Sequence, residues 1–452
     1  MKRILWFRRD LRIEDNPLLS LGEEVLPIFI FDKNILESLP KEDKRLSFIF
    51  SQVKSLKSKL KLKGLDLKLF FARPIEVFSM LAKEGFDEVV ASGDYQSYSI
   101  QRDLEISQIL PFNYIHDTYI FEPEEVLKAD GSPYLVFTPF YNKAKKTLTK
   151  DHLQEHPFVK HKLYTNDYEN ITHIHKGKSE SLELSLRSLG FTQVPFNLQE
   201  LPEKLALLKT KLKAYDKDRD FPSIQGTSDL SLELRFGTIS IRSVLRLLAQ
   251  ENSKETEPFF RQLIFRDFYA YLLYHFPYIE KENYKYPFKG IEDVKKYKSF
   301  CEARTGVPII DAGVNELIQT GRMHNRVRMI CASFFTKDLL LPWQWGEAFF
   351  AQYLLDYDAA SNILSWQWSA GTGIDPQPYF RIFNPYLQSK KFDKNGLYIK
   401  KWVPQLKKID SKYFHDEKYL SEHHLSPYPY PIINHKSAST KALAYFKSLK
   451  GQ

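Results

Sequence analysis

At 452 residues the chain is too long for a single hydrophobic core, and 43% hydrophobic with 27% charged residues excludes a disordered or fibrous protein. Its two cysteines, Cys301 and Cys331, stand far apart with no CxxC spacing, which excludes a disulfide scaffold and a cysteine zinc site. A net charge of +9 favours a polyanionic partner, because neutralising phosphates releases counterions.

The N-terminus, MKRILWFRRD, lacks a signal-peptide core, and no apolar run reaches transmembrane length, so an intracellular, cytoplasmic protein is expected. Short apolar runs at 4–7, 25–31, 67–71, 88–91 and 114–115 read as buried strands. Amphipathic stretches at 46–62, 74–82 and 100–110 read as the helices between them. That alternation predicts a Rossmann-like α/β domain over residues 1–128, built on a parallel sheet. No GxGxxG follows the first strand and no P-loop pattern occurs.

Residues 129–200 turn polar and rich in His and Lys, and read as a linker. His152, His156, His161, His173 and His175 are irregularly spaced, which fits surface better than a metal site. Residues 201–452 read as an all-α domain, with helices at 240–249, 257–275, 314–320, 326–340 and 347–355.

Four clusters in that domain are unusual for a core. GTSDLSLELRFG (226–237) sets hydroxyls ahead of a helix, as an N-cap or a phosphate site would. RQLIFRDFYAYL (261–272) places Arg266 among aromatics. HNRVRMICASFFTKDLL (324–340) starts polar and then turns apolar, the pattern of a helix that lines a cleft. In 354–385, Asp356, Asp358 and Asn362 precede Trp366 and Trp368, which read as part of a loop before a Gly-rich turn. The paired carboxylates there leave metal binding or acid–base work open. Beyond them, the stretch 390–412 carries eight lysines against Asp393 and Asp410.

These four clusters, in this order, resemble the photolyase/cryptochrome family, and most closely its class I branch that repairs cyclobutane pyrimidine dimers. WFRRDLRIEDNPLL at the start, FTPFYNKAKK in the linker and YPYPIINH near the end extend the resemblance over almost the whole chain; WQWSAGTGIDPQPYFRIFNP is its most specific run.

The resemblance implies non-covalent FAD in the helical domain. Tyr215, Thr227, Ser228, Asp229, Leu230 and Ser231 would hold its phosphates and ribitol. Phe259 and Arg266 would flank it. Asp356, Tyr357 and Asp358 would face the ring and ribitol, Arg328 and Asn362 would line the flavin, and Asn325 would set its amide against the ring. The implied reaction is light-driven: excited FADH⁻ gives an electron to a flipped-out dimer, the ring opens and the electron returns. Gln262, Asn325, Met329 and Trp368 would meet the lesion, and Phe265, Arg326 and Arg381 would join them in binding UV-damaged DNA. Met329 matches dimer repair. Trp366 and Trp343 would carry electrons to the flavin. A monomer is expected.

Three departures accompany it. Gln262 stands where dimer repair enzymes carry Glu, Phe265 replaces a second Trp, and the outermost electron-carrying Trp falls near Ile291, leaving Trp345 or Tyr286 as substitutes. Ile100-Gln101 replaces the Asn-Glu of folate-binding members, so a second, antenna chromophore would be another dye or none. A (6-4) photolyase and a cryptochrome-type receptor are the alternative activities.

Overall fold

The computed structural model describes residues 1–165, 168 and 170–449. The chain forms two units: Met1–Tyr134, Phe140–Leu205 and Asp229–Pro277 make the first; Leu135–Pro139, Ala206–Ser228 and the chain from Tyr278 onward make the second.

In the first unit, strands β1 (Lys2–Phe7), β2 (Glu24–Asp32), β3 (Lys68–Ala72), β4 (Glu88–Ser92) and β5 (Phe112–Ile115) pair in parallel. Their apolar runs are continuous because helices cover such sheets on both faces, and β2 is buried along nearly its whole length. The α/β expectation holds. The stretch expected to be a linker does not stay outside the sheet. It supplies β6 (Lys162–Leu163), β7 (Ile171–His175) and β8 (Lys178–Leu182), giving the order β5-β4-β1-β2-β3-β7-β8 with β6 against β2. Residues 166, 167 and 169 of that stretch lie outside the described residues.

β7 and β8 pair antiparallel, so the sheet is mixed. Polar residues hid these strands because a hairpin at the sheet edge needs few apolar residues: Ile171, Thr172 and Ile174 are buried while His175 and most of β8 are exposed. The first unit also takes back residues 229–277, including the long Ser253–His275 helix, from the region expected to be wholly helical domain.

The second unit is helical around one core that includes Trp343, Trp366, Phe334, Phe335 and Phe446. Several helices begin earlier than the apolar pattern suggests. Pro308 opens Pro308–Thr320 at a position where a missing N–H costs nothing, and Trp343 opens Trp343–Tyr353. The expected single helix over 326–340 is Asn325–Ser333 followed by a π-helical turn, Phe334–Asp338. The wider turn faces two charged side chains inward: Lys337 Nζ donates to the Ala370 carbonyl at 2.7 Å, and Asp338 meets His435 at 2.5 Å.

The Trp pair is not in a loop. Trp366 and Trp368 lie on the Ala359–Ala370 helix, which Asp358 caps by accepting from Ser361 N and which Gly371 ends in the left-handed region. Among the described residues, no helix is long and apolar enough to cross a membrane.

Candidate functional site

The residues singled out by sequence divide between the two units. In the second, the Ala359–Ala370 helix and the turn before it carry the densest polar group. Arg328 donates to both oxygens of Asp356 at 3.0 Å and through Nε to the Met323 carbonyl at 2.8 Å, which fixes its guanidinium plane. Asn362, buried, donates to Glu347 at 2.9 Å, and Tyr357 reaches the same carboxylate at 3.2 Å. Burial raises the Glu347 pKa above the usual range, while its bonds to Asn362 and Tyr357 oppose that. Glu347 was not among the expected site residues. Its only sequence signal is an acid on the inward side of an apolar helix.

A second polar group gathers at the start of Asn325–Ser333. His324 caps this helix, its Nδ1 accepting from Arg326 N at 3.1 Å; the neutral ring therefore carries its proton on Nε2. Desolvation pushes its pKa down to about 4, so it stays neutral at pH 7. Arg326 pairs with Asp220 at 2.7 Å and lies 4.4 Å from the centre of Phe392. Tyr215 is buried, with the Arg219 guanidinium 5.8 Å from its ring centre.

The Thr227 loop is brought to this group by Gly226. A Cβ there would meet Asp218 backbone at 2.5 Å, so only glycine lets the strands of chain pass so closely. Thr227 and Ser228 do not cap the following helix: Ser231–Phe236 has Leu230 as its N-cap, without a side-chain cap bond. Asn325 is exposed, and its amide donates to Met329 Sδ at 3.6 Å, placing the pair on one face.

Two positions apart on a helix face nearly opposite ways, and the tryptophans show it. Trp366 is 1% exposed, wedged edge-on against Phe335 and Phe350, whereas Trp368 is half-buried. Trp343 is equally deep, its indole N–H donating to Asn283 at 2.7 Å. Arg381 is exposed.

The other expected residues belong to the first unit. Gln262, Phe265 and Arg266 share a half-buried stripe of the Ser253–His275 helix, at the i, i+3, i+4 spacing of one face. Tyr269, one turn on, extends it, 6.1 Å from Phe265. Arg266 donates to the Thr118 and Leu234 carbonyls at 2.7 and 3.1 Å and lies over Tyr119, so much of its hydrogen bonding is structural. Phe259 is buried. Asp229 holds a left-handed φ of 60°, and Lys204, buried, donates to its carbonyl at 3.2 Å and to Glu233 at 2.7 Å. Leu230 is buried and Ser231 exposed.

This donor set fits a flavin nucleotide. A flavin edge alternates hydrogen-bond donors and acceptors, matched by a guanidinium, a buried amide and two carboxylates. Arg219 Nε, His324 Nε2 and Arg326 Nε are buried without a hydrogen-bond partner, and all three are donors suited to phosphate oxygens. Metal binding by the Asp356 and Asp358 pair is not supported: among the described residues no three His, Cys, Asp or Glu are grouped to hold an ion.

Fold and site together define a flavin-binding protein with an α/β unit and a helical unit. Residues 3–159 match the DNA photolyase family, and residues 259–448 match the FAD binding domain of DNA photolyase. A deoxyribodipyrimidine photo-lyase of Alkalihalophilus pseudofirmus is 34% identical, over 98% of each chain. One from Vibrio cholerae is 32% identical over 99% of this chain and all of its own. Among solved structures, a class III photolyase from Agrobacterium tumefaciens superposes with a TM-score of 0.84 at 32% identity, covering 100% of this chain and 98% of its own. An archaeal photolyase from Sulfolobus tokodaii, with two FAD molecules, also gives 0.84, at 31% identity over 99% of this chain and 100% of its own. The chain belongs to the photolyase/cryptochrome family. The class III likeness leaves its assignment to the class I branch unsupported.

Proposed function

We propose that the protein is a light-driven DNA repair enzyme that splits cyclobutane pyrimidine dimers. The observations that carry this are the pairing of Asn325 with Met329 on the first turns of their helix and, on the Ala359–Ala370 helix that packs against it, Trp368 left half-buried where Trp366 is enclosed. When bound, reduced FAD supplies the photochemical electron that opens the cyclobutane ring. Full-length likeness to enzymes named for this reaction supports the reading.

The chain's own residues have separable tasks. Arg328, fixed by Asp356, and Asn362, oriented by Glu347, hold the flavin edge. Of the two asparagines, Asn362 is the buried and pre-oriented one; exposed Asn325 suits the lesion instead. Thr227, Ser228, Asp229 and Ser231, with Tyr215, hold phosphate and ribitol. Trp368 offers an aromatic face to the flipped bases. Arg381 and the lysines of 390–412 meet DNA phosphates. Arg326 joins them only by loosening from Asp220. The protein works inside the cell as a monomer, and an exposed Ile100 beside Gln101 disfavours folate as its antenna.

Illuminating the reduced protein with oligonucleotides carrying either a cyclobutane dimer or a (6-4) product tests the proposal. Restored thymines from the dimer alone are expected. Repair of the (6-4) product alone would move the activity to that class, and repair of neither would leave a photoreceptor.

A further inference from the structure

We infer that Trp345, through Tyr297 and Phe335, provides the outer electron step to Trp366 that Ile291 cannot provide. The inference rests on the reading of Trp366 as the residue that passes an electron to the flavin.

Ile291 is about half exposed, hydrogen-bonded through its backbone to Leu340, and follows Gly290, whose missing Cβ lets the chain lie on Pro342. It therefore sits next to the start of the Trp343–Tyr353 helix, where an outer donor to Trp343 would belong, and its aliphatic side chain has no electron to give at accessible potentials. The same helix offers another way out. At Gly346 a Cβ would lie 2.2 Å from Trp366 Cη2, so the helix backbone rests directly on the indole, with Trp345 the adjacent residue.

The aromatic contacts run continuously from there. Phe335 meets Trp366 edge-on at 5.4 Å between ring centres. Tyr297 meets Phe335 at 6.2 Å and Trp345 at 5.2 Å, both edge-on. Electron tunnelling weakens steeply with distance, so packed rings without gaps favour it over a route through backbone and solvent. Trp366 is 1% exposed, while Tyr297 and Trp345 are only partly buried. The path thus leads from an enclosed indole to one that solvent reaches.

Phe335 is too hard to oxidise and acts as packing between the partners. Tyr297 shares a hydrogen bond with Cys301, and burial raises its pKa, so it stays a neutral phenol, harder to oxidise than an indole, and like Phe335 serves as packed medium between the two tryptophans. One electron moves from Trp345 to the Trp366 radical cation. The Trp345 radical cation then releases its indole proton to water. A low-molecular-weight thiol in solution returns one electron and one proton, becoming a thiyl radical, and the indole is restored.

The test uses FAD-loaded protein of the wild type and of Trp345→Phe, Tyr297→Phe, Trp343→Phe and Trp366→Phe, each matched for flavin content and unfolding midpoint. Transient absorption and electron paramagnetic resonance, with deuterated tryptophan, read the yield and identity of the long-lived radical. Mass spectrometry after illumination without thiol reads which indole is oxidised. Trp345→Phe should lower the long-lived radical several-fold and move the oxidation elsewhere, with Tyr297→Phe causing a smaller drop. Wild-type radical yield in Trp345→Phe, or oxidation confined to Trp343, would overturn the inference while leaving Trp366 in place. Wild-type radical yield in Trp366→Phe would instead remove the underlying reading, a distinguishable result.

Discussion

Two regions of the molecule handle buried charge differently: a cluster of arginines and acids in the first unit and the surroundings of Lys337 in the second. In the first, acids and guanidinium groups are buried together: Asp117 accepts from Arg12 at 2.5 Å and Arg242 at 2.6 Å, and Asp15 takes Arg242 at 3.0 Å and Arg246 at 2.8 Å. In the second, charge is suppressed within an aromatic core. Lys337, wholly buried, has the Ala370 carbonyl and the face of Phe446 at 3.5 Å as partners, and desolvation drives its pKa down to about 7. Paired charges fix the geometry of loops at the strand ends. In the core of the second unit, Trp366 lies among aromatic rings, edge-on to Phe335 and Phe350.

The largest effect should come from unbalancing the first arrangement. Asp117→Ala leaves Arg12 and Arg242 buried without a shared acceptor and should cost about 3–5 kcal/mol in urea unfolding. A cost below about 1 kcal/mol would show that water replaces the acid, as at an exposed pair. Gly346→Ala, in the second unit, should cost about 1–3 kcal/mol by overpacking against Trp366, and should change the near-ultraviolet circular dichroism of that indole. An unchanged spectrum would mean that the helix shifts instead of the ring.

The pH response sharpens the contrast, because the signs differ. Burial raises Asp267 to about 7, although its carboxylate accepts from Ile120 N and Phe121 N. The folded state then binds the proton more tightly than the unfolded one, so this group's stabilisation is full below about pH 4 and is lost as pH rises through 7. Asp267→Asn should flatten that fall. For Lys337 the folded pKa is the lower one, so stability rises with pH from about 7 towards 10.5, and Lys337→Met should remove that rise. Unfolding midpoints across pH measure both. Parallel profiles for each variant and the wild type would refute the assignment.

The smallest effect is at the surface. Lys390→Ala should weaken damaged-DNA binding uniformly across sequences and lower its salt slope by about 1. A change in lesion preference would instead place Lys390 at the lesion.

Much of the molecule was legible because its signals are local. Strands β1 to β4 are apolar runs of the length a buried parallel strand needs, and the run from Asp356 to Pro385 identified the family by residue order alone. The helix carrying Trp366 was missed because Asp358, Asn362 and the following glycines have loop propensities; here Asp358 is its cap and Gly371 its end. β7 and β8 were missed because a polar hairpin becomes a strand only when an existing sheet offers it an edge.

The sequence by itself determined the family, the flavin chemistry and the absence of a tryptophan at Ile291, since these depend on which residues follow one another. Tertiary structure decided that Glu347 orients Asn362, that Arg266 and Arg326 are already engaged, and that Trp345 and Tyr297 pack onto Phe335. Such contacts join residues far apart along the chain, and no local propensity encodes a distance between them.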